Sequence, residues 1–145
     1  MEPYLVHGDV AVDDRGQVSF VNGFDVGQAR RFFIVSNHQP GFVRAWHGHR
    51  RTATYVSAIS GAAIVAAVAI DDWERPSRGA PVHRFVLSER KPTMLVIPPG
   101  YANGIKTLQA DTRLLVFKSL GLEESADDNY RFDARHWDPW DIVER

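Results

Sequence analysis

The chain of 145 residues has no cysteine, so disulfides and thiolate metal ligands are excluded from the start. It has no excess of either charge: 17 Lys and Arg stand against 18 Asp and Glu, a formal net charge of −1. No broad field therefore draws it to nucleic acid or to an anionic membrane. It also has no long hydrophobic run. The least polar stretch, Tyr55 to Ile70, is interrupted by Ser57, Ser60 and Gly61 and is too short and too polar to cross a bilayer as a helix. At the N-terminus no basic segment precedes an apolar one, so no signal peptide is expected and the cytoplasm is the default location. Internal repeats and low-complexity tracts are absent as well.

What is present is an ordinary globular balance, 44% hydrophobic and 24% charged residues. The length suits one domain, residues 1–145, burying a little under about 70% of its unfolded surface. Turn signals cut the chain into short pieces: Asp14-Arg15-Gly16, Asn22-Gly23, Gln39-Pro40-Gly41, Gly61, Pro76 to Pro81, and Pro98-Pro99-Gly100. Between them lie segments rich in Val, Ile, Phe and Tyr: Leu5–Val12, Val18–Asn22, Arg31–Asn37, Phe42–His47, Thr54–Ser60, Ala62–Ile70, His83–Leu87, Thr93–Ile97 and Thr112–Ser119. The pattern predicts an all-β domain, a closed barrel or a sandwich. Ala62–Ile70 is apolar without alternation, as in a strand buried on both faces. From Glu123 onward an irregular or briefly helical tail is expected, with Tyr130, Phe132, Trp137 and Trp140 packing back on the barrel. Trp137 and Trp140 could stack on a nucleobase, although tail aromatics more commonly serve as anchors.

The chemistry concentrates in Arg44-Ala45-Trp46-His47-Gly48-His49-Arg50-Arg51. Side chains at i and i+2 of a strand point the same way, so the imidazoles of His47 and His49 share one face. A lone histidine is more often a surface or core residue. Two at this spacing, among arginines and ahead of an apolar strand, point to a polar pocket. Histidine titrates near neutrality and suits a general base, and arginine suits a phosphate. Strict alternation places Arg44 opposite His47, so only a bulge would bring the two together; otherwise Arg44, Arg50 and Arg51 form a solvated basic edge.

The same residues carry a resemblance. Gly41, five residues, His47, one residue, His49, with Gly61 closing the segment, resembles the first cupin motif. The glutamate position of that motif holds Thr54. The second motif resembles Pro98-Pro99-Gly100-Tyr101-Ala102-Asn103, with Asn103 in the place of its histidine. The resemblance implies a cupin, a double-stranded β-helix or jelly-roll barrel. Thr54 and Asn103 are poor transition-metal ligands, so neither metal nor organic cofactor is expected.

More closely, most of the chain resembles the dTDP-4-keto-6-deoxyhexose 3,5-epimerases, RmlC-like cupins. Asp14-Arg15-Gly16, Ser36-Asn37-His38, Arg44-Ala45-Trp46-His47, Ile97 to Gly104 and Phe117-Lys118-Ser119 are similar in order and spacing to that family's conserved segments. The resemblance implies that His47 is the base that removes a proton next to a ketone. It implies that Arg44 and Arg15 hold the substrate, Arg15 from a partner subunit of a homodimer, and that Asn37 and Asn103 contact the nucleotide or diphosphate. Three departures stand out. The family's active-site lysine falls at or near Thr54, its tyrosine acid falls near Gly121-Leu122, and the segment carrying the aspartate partner of the base has no counterpart before Arg145. A second resemblance, to the nucleotide-sugar 3,4-ketoisomerases, rests on Arg44-Ala45-Trp46-His47-Gly48-His49 and on Glu124 to Asp133. It implies that both histidines take part in proton transfer.

A base beside a 4-keto sugar forms an enediolate. Returning the proton to the opposite face of the carbon epimerises it, and moving protons between C3 and C4 shifts the ketone. The oxyanion needs a donor, for which His49, Asn103 and Tyr101 are candidates. The expected activity is thus epimerisation of a nucleotide-linked, dTDP-type 4-keto-6-deoxy sugar, with 3,4-ketoisomerisation as the alternative. A sugar-binding cupin without catalysis and a different cupin enzyme, including a weakly metal-dependent one, remain as further readings. The expected partners are the nucleotide sugar and a second copy of the chain, with no nucleic acid or membrane.

Overall fold

In the computed structural model, which describes residues 1–145, strands dominate and no α-helix forms. The strands are β1 (Tyr4–His7), β2 (Asp9–Asp13), β3 (Gly16–Phe20), β4 (Arg31–Val35), β5 (Val43–His49) and β6 (Thr54–Ser60). They continue with β7 (Ala62–Ala69), β8 (Val82–Ser88), β9 (Thr93–Ile97), β10 (Tyr101–Thr107), β11 (Arg113–Lys118) and the short β12 (Tyr130–Arg131). One 3-10 turn, Val26–Gln28, is capped by the Asp25 carboxylate, which accepts from the Gly27 amide. The tail is irregular rather than helical.

Strands β4 to β11 divide between two antiparallel sheets, β4-β11-β6-β9 and β5-β10-β7-β8, which is the jelly-roll order expected of a cupin. β1 extends the first sheet beside β9, and β12 extends the second beside β5. The two five-stranded sheets pack face to face without joining at their edges, so the domain is an open sandwich and not a closed barrel. The β2–β3 hairpin pairs only with itself.

Two apolar layers on either side of the second sheet hold this together. Val56, Ala58, Leu95, Ile97, Leu114 and Val116 from one sheet meet Ala63, Val65, Ala67, Tyr101 and Ile105 from the other. Behind the second sheet Trp46, Ile64, Ala66, Val68 and Ala102 pack under Trp137 and Trp140 of the tail. β7 therefore buries alternate residues in two different cores, which explains its unbroken apolar run. The Trp46 indole donates to the Trp137 carbonyl at 3.1 Å, and Lys106 Nζ donates to the Trp140 carbonyl at 2.8 Å. The tail tryptophans are anchors.

All nine expected segments form strands, the first of them two, and β10 and the two-residue β12 are additional. The first segment is broken at Gly8, whose amide donates to the Pro92 carbonyl at 2.8 Å. β10 has no counterpart in the reading of the sequence, because Ala102-Asn103-Gly104 has low strand propensity. It forms because it pairs along its length with β5 on one side and β7 on the other. Gly104 permits the fit: a Cβ there would lie 2.7 Å from the Ala45 Cβ and 2.8 Å from the Trp140 ring.

Candidate active site

Between the sheets lies a cavity of about 410 Å³. Arg31 reaches it from β4, Arg44, His47 and His49 from β5, Thr54 from β6, Asn103 from β10 and Lys118 from β11. Leu122, Ser125, Ala126 and Asn129 of the tail complete the wall. No aspartate or glutamate lines it, against Arg31, Arg44 and Lys118, so the cavity favours an anionic ligand.

The register of β5 explains how Arg44 joins the histidines. Asn103 of β10 faces His47, and its neighbour Gly104 faces Ala45, which leaves Trp46 as an extra residue. This bulge turns Trp46 out under the tail and reverses the alternation before it. Arg44 and His47 consequently share the cavity. Gly48, between the two histidines, faces the other way, where a Cβ would sit 2.8 Å from the Trp73 ring and 3.1 Å from that of Phe132. Only glycine lets the aromatic cover close on that side of β5.

Other expected site residues are placed differently. The Asn37 side chain lies outside the cavity wall: its Oδ1 accepts from Arg44 Nε at 2.6 Å, and its Nδ2 donates to Thr107 Oγ1 at 3.0 Å. Asn37 thus aims Arg44. Tyr101 packs in the core between the sheets, and its hydroxyl donates to the Met1 carbonyl at 3.2 Å. It does not line the cavity: β10 pairs it with His49, but its ring packs against His83 and its hydroxyl turns to the N-terminus. Arg15 sits on the exposed β2–β3 hairpin, paired with Asp13, and does not reach the cavity of its own chain. Asn103 is buried, lines the cavity, and its Nδ2 has no hydrogen-bond partner.

The two histidines differ in what holds them. His49 Nδ1 lies 2.7 Å from the main-chain carbonyl of Asp128, so this nitrogen carries the proton. Its Nε2 is left as an acceptor, and Lys118 Nζ donates to it at 3.1 Å. Lys118 also donates to Thr54 Oγ1 at 2.8 Å, its cross-strand neighbour in the β6–β11 pairing. Burial, and then the Lys118 charge, push the His49 imidazole down to about 4. Burial and Arg31 push the Lys118 ammonium down to about 8, partly offset by Asp128. No protein group engages the His47 ring, which faces the cavity. Burial, followed by the charges of Arg131, Lys118 and Arg44, holds its pKa below the usual value for histidine. His47 is therefore the free base of the site, and His49 is committed on both nitrogens.

The tail closes the site through Asp128. Its carboxylate accepts from the amides of Arg50 at 2.7 Å and Arg51 at 3.0 Å and from the Thr52 hydroxyl at 2.7 Å. The side-chain roles of Lys118, Arg31 and Asp128 were not read from the sequence. Lys118 stood in a segment similar to the epimerases, and its strand position opposite Thr54 becomes visible only from the β6–β11 register. No group of three His, Asp or Glu side chains converges anywhere in the chain.

The protein-family model described as FdtA, WxcM-like, C-terminal, matches residues 3–136. No curated protein matches the sequence. Among solved structures, the dTDP-4-dehydrorhamnose 3,5-epimerase of Bacillus anthracis, with TDP and PPi bound, is similar over 98% of this chain and 86% of its own, at a TM-score of 0.77 and 17% identity. The same enzyme of Sulfolobus tokodaii is similar over 97% of this chain and 81% of its own, with a TM-score of 0.77 and 22% identity. The 3,4-ketoisomerase QdtA of Thermoanaerobacterium thermosaccharolyticum, in complex with TDP, is similar over 93% of this chain and 91% of its own, at 0.69 and 16% identity. At these identities the likeness establishes the jelly-roll cupin fold.

Proposed function

This chain belongs to the WxcM-like, C-terminal family, and we propose that it is a metal-independent isomerase of a nucleotide-linked 4-keto-6-deoxy sugar. The reaction is proton abstraction next to the ketone, giving 3- and/or 5-epimerisation. The observation that carries this reading is His47: an imidazole that burial and neighbouring cations keep neutral, free of protein hydrogen bonds, in a cavity lined by cations and no carboxylate. A neutral imidazole can take a carbon-bound proton, and the cations can hold the diphosphate and offset the enediolate charge. Arg44, aimed by Asn37, is the phosphate ligand of this chain. Asn103, with its unpartnered buried amide, donates to the substrate. Arg15 serves the same site only from a second copy, which makes a homodimer part of the proposal. Two imidazoles, one of them already holding Lys118, leave too few ligands for a transition metal. The cytoplasm, where nucleotide sugars are made, is part of the proposal; no helix is long and apolar enough to cross a membrane.

A second reading, 3,4-ketoisomerisation, is favoured by the share of QdtA that this chain covers, 91%, against 86% and 81% for the two epimerases. Incubation with dTDP-4-keto-6-deoxyglucose in deuterated water, followed by NMR, decides. Deuterium at C3 and C5 is expected for epimerisation, and a 3-keto product for ketone migration. Exchange is expected to vanish in His47→Ala with the fold intact. Absence of exchange by the wild type on this and the corresponding UDP and GDP sugars, with TDP still bound, would make the protein a binding module.

A further inference from the structure

We infer that Lys118 is a catalytic residue, the donor that receives the charge developing on the substrate's keto oxygen, and that His49 is the positioning residue that aims it. The inference rests on the isomerase reading above.

Lys118 is 5% exposed, and the ion pairs of the chain, Arg15–Asp13, Arg51–Asp127 and Arg135–Asp138, all lie elsewhere. A buried ammonium without a counter-ion is costly, and only neutral oxygen and nitrogen acceptors compensate it here. Those acceptors are Thr54 Oγ1 and His49 Nε2, which use two of its three N–H bonds. The third has no acceptor in the protein, and the side chain lines the cavity. Asn103, whose amide is likewise buried and unpartnered, lines the same space beside His47. A ligand oxygen is what both donors lack.

His49 cannot be the base while it holds Lys118. Its Nδ1 proton is committed to the Asp128 carbonyl and its Nε2 lone pair to the ammonium. The charged and titratable groups that face Lys118 are Arg31 on β4, His47 and His49 on β5 and Asp128 in the tail. With its pKa lowered to about 8, the ammonium is acidic enough to share or lend a proton near neutral pH and is regained by return.

The step balances without a co-reactant. The His47 lone pair takes the proton from the carbon next to the ketone, the C–H electrons form the C=C bond, and the carbonyl π pair moves to oxygen. There a Lys118 N–H stabilises or protonates it. Reversal returns the electron pair to carbon, which takes its proton from the His47 imidazolium or, after exchange, from solvent.

The test is solvent-deuterium exchange into dTDP-4-keto-6-deoxyglucose, read by NMR, with TDP affinity measured in parallel. Lys118→Met is expected to slow exchange by about a hundredfold to a thousandfold, the usual loss of an oxyanion donor. Its TDP affinity should stay within about threefold, because Met replaces a buried cation by an apolar chain of similar length. His49→Gln supplies an amide oxygen to accept from Lys118 and should lose less than about tenfold. His49→Leu supplies none and should lose about a hundredfold, with the basic limb of the pH–rate profile moved to lower pH. In the wild type that limb should fall near pH 8. Exchange within about threefold of wild type in Lys118→Met, equal losses in His49→Gln and His49→Leu, or a wild-type profile without the basic limb would each overturn the inference while leaving His47 as the base. No exchange by the wild type would overturn the isomerase reading and this inference with it.

Discussion

Removing the Asp128 carboxylate should unfasten the tail from the strand that carries both histidines. The side chain is 1% exposed and accepts three hydrogen bonds, two from main-chain amides and one from Thr52. In Asp128→Ala all three donors lose an ionised acceptor. Hydrogen bonds to charged groups contribute about 1.5–3 kcal/mol each, and losses in one network add incompletely. A destabilisation of about 3–5 kcal/mol at pH 7 is expected, or a fall in Tm of about 10–15 °C for a domain of this size. Asp128→Asn, which keeps one acceptor oxygen, should cost less. The effect depends on pH with a definite sign. Burial pushes the carboxyl up, but the bonds from Thr52, Arg51 and Arg50 outweigh it, and its pKa lies below the ordinary aspartate value. A depressed carboxyl stabilises the fold fully above its unfolded pKa, about 3.9, and the contribution fades as pH falls from there through the lower folded value. Urea unfolding of wild type and Asp128→Ala should therefore show a gap at pH 7 that narrows toward pH 3. A gap below about 1 kcal/mol at pH 7, or one that stays constant to pH 3, would refute the assigned role of the carboxylate.

Gly61 adopts φ 69°, and a Cβ there would lie 2.7 Å from the Thr112 Cα, so Gly61→Ala should lower stability by about 2–4 kcal/mol in urea unfolding. Trp140 is fully buried against Trp46 at 5.2 Å between ring centroids, and Trp140→Ala should cost about 3–5 kcal/mol and expose the tail to limited proteolysis. His49 stays neutral in the fold down to about pH 4, whereas the unfolded chain protonates it near 6.5. The wild type should accordingly lose stability as pH falls from 6.5 to 4, and His49→Gln should show a shallower slope over that window, with no difference above pH 7.5.

The fold was largely legible because its punctuation is local. Gly16, Gly41, Gly61 and Gly100 have positive φ, and each stands in a segment read as a turn from residue type alone. The unbroken apolar run of β7 announced burial on both faces, and the spacing of His47 and His49 announced a shared face. What was not legible depends on pairing across the sheet. β10 carries Ala102, Asn103 and Gly104, which have little strand preference of their own and take it from two neighbouring strands. The bulge at Trp46, which decides whether Arg44 enters the cavity, is a register property of β5 against β10. Lys118 was passed over for the same reason: its partner Thr54 is adjacent only through the β6–β11 ladder. Tyr101 is a candidate oxyanion donor by residue type, but its hydroxyl reaches the N-terminus.

These cross-strand relations also set the chemistry. The lysine that the epimerase resemblance expects at position 54 is absent there, yet an ammonium stands at the Thr54 hydroxyl, supplied from the adjacent strand. The partner of a histidine comes from the tail as a main-chain carbonyl, and it holds His49, leaving His47 unencumbered. Arg131, Lys118 and Arg44 all depress the basicity of His47. In the proposed reaction a diphosphate would offset those charges, so the imidazole would become more basic when the substrate arrives. Arg44, as the phosphate ligand, thereby couples nucleotide binding to the readiness of the base, and a substrate lacking the phosphates would lose turnover as well as affinity.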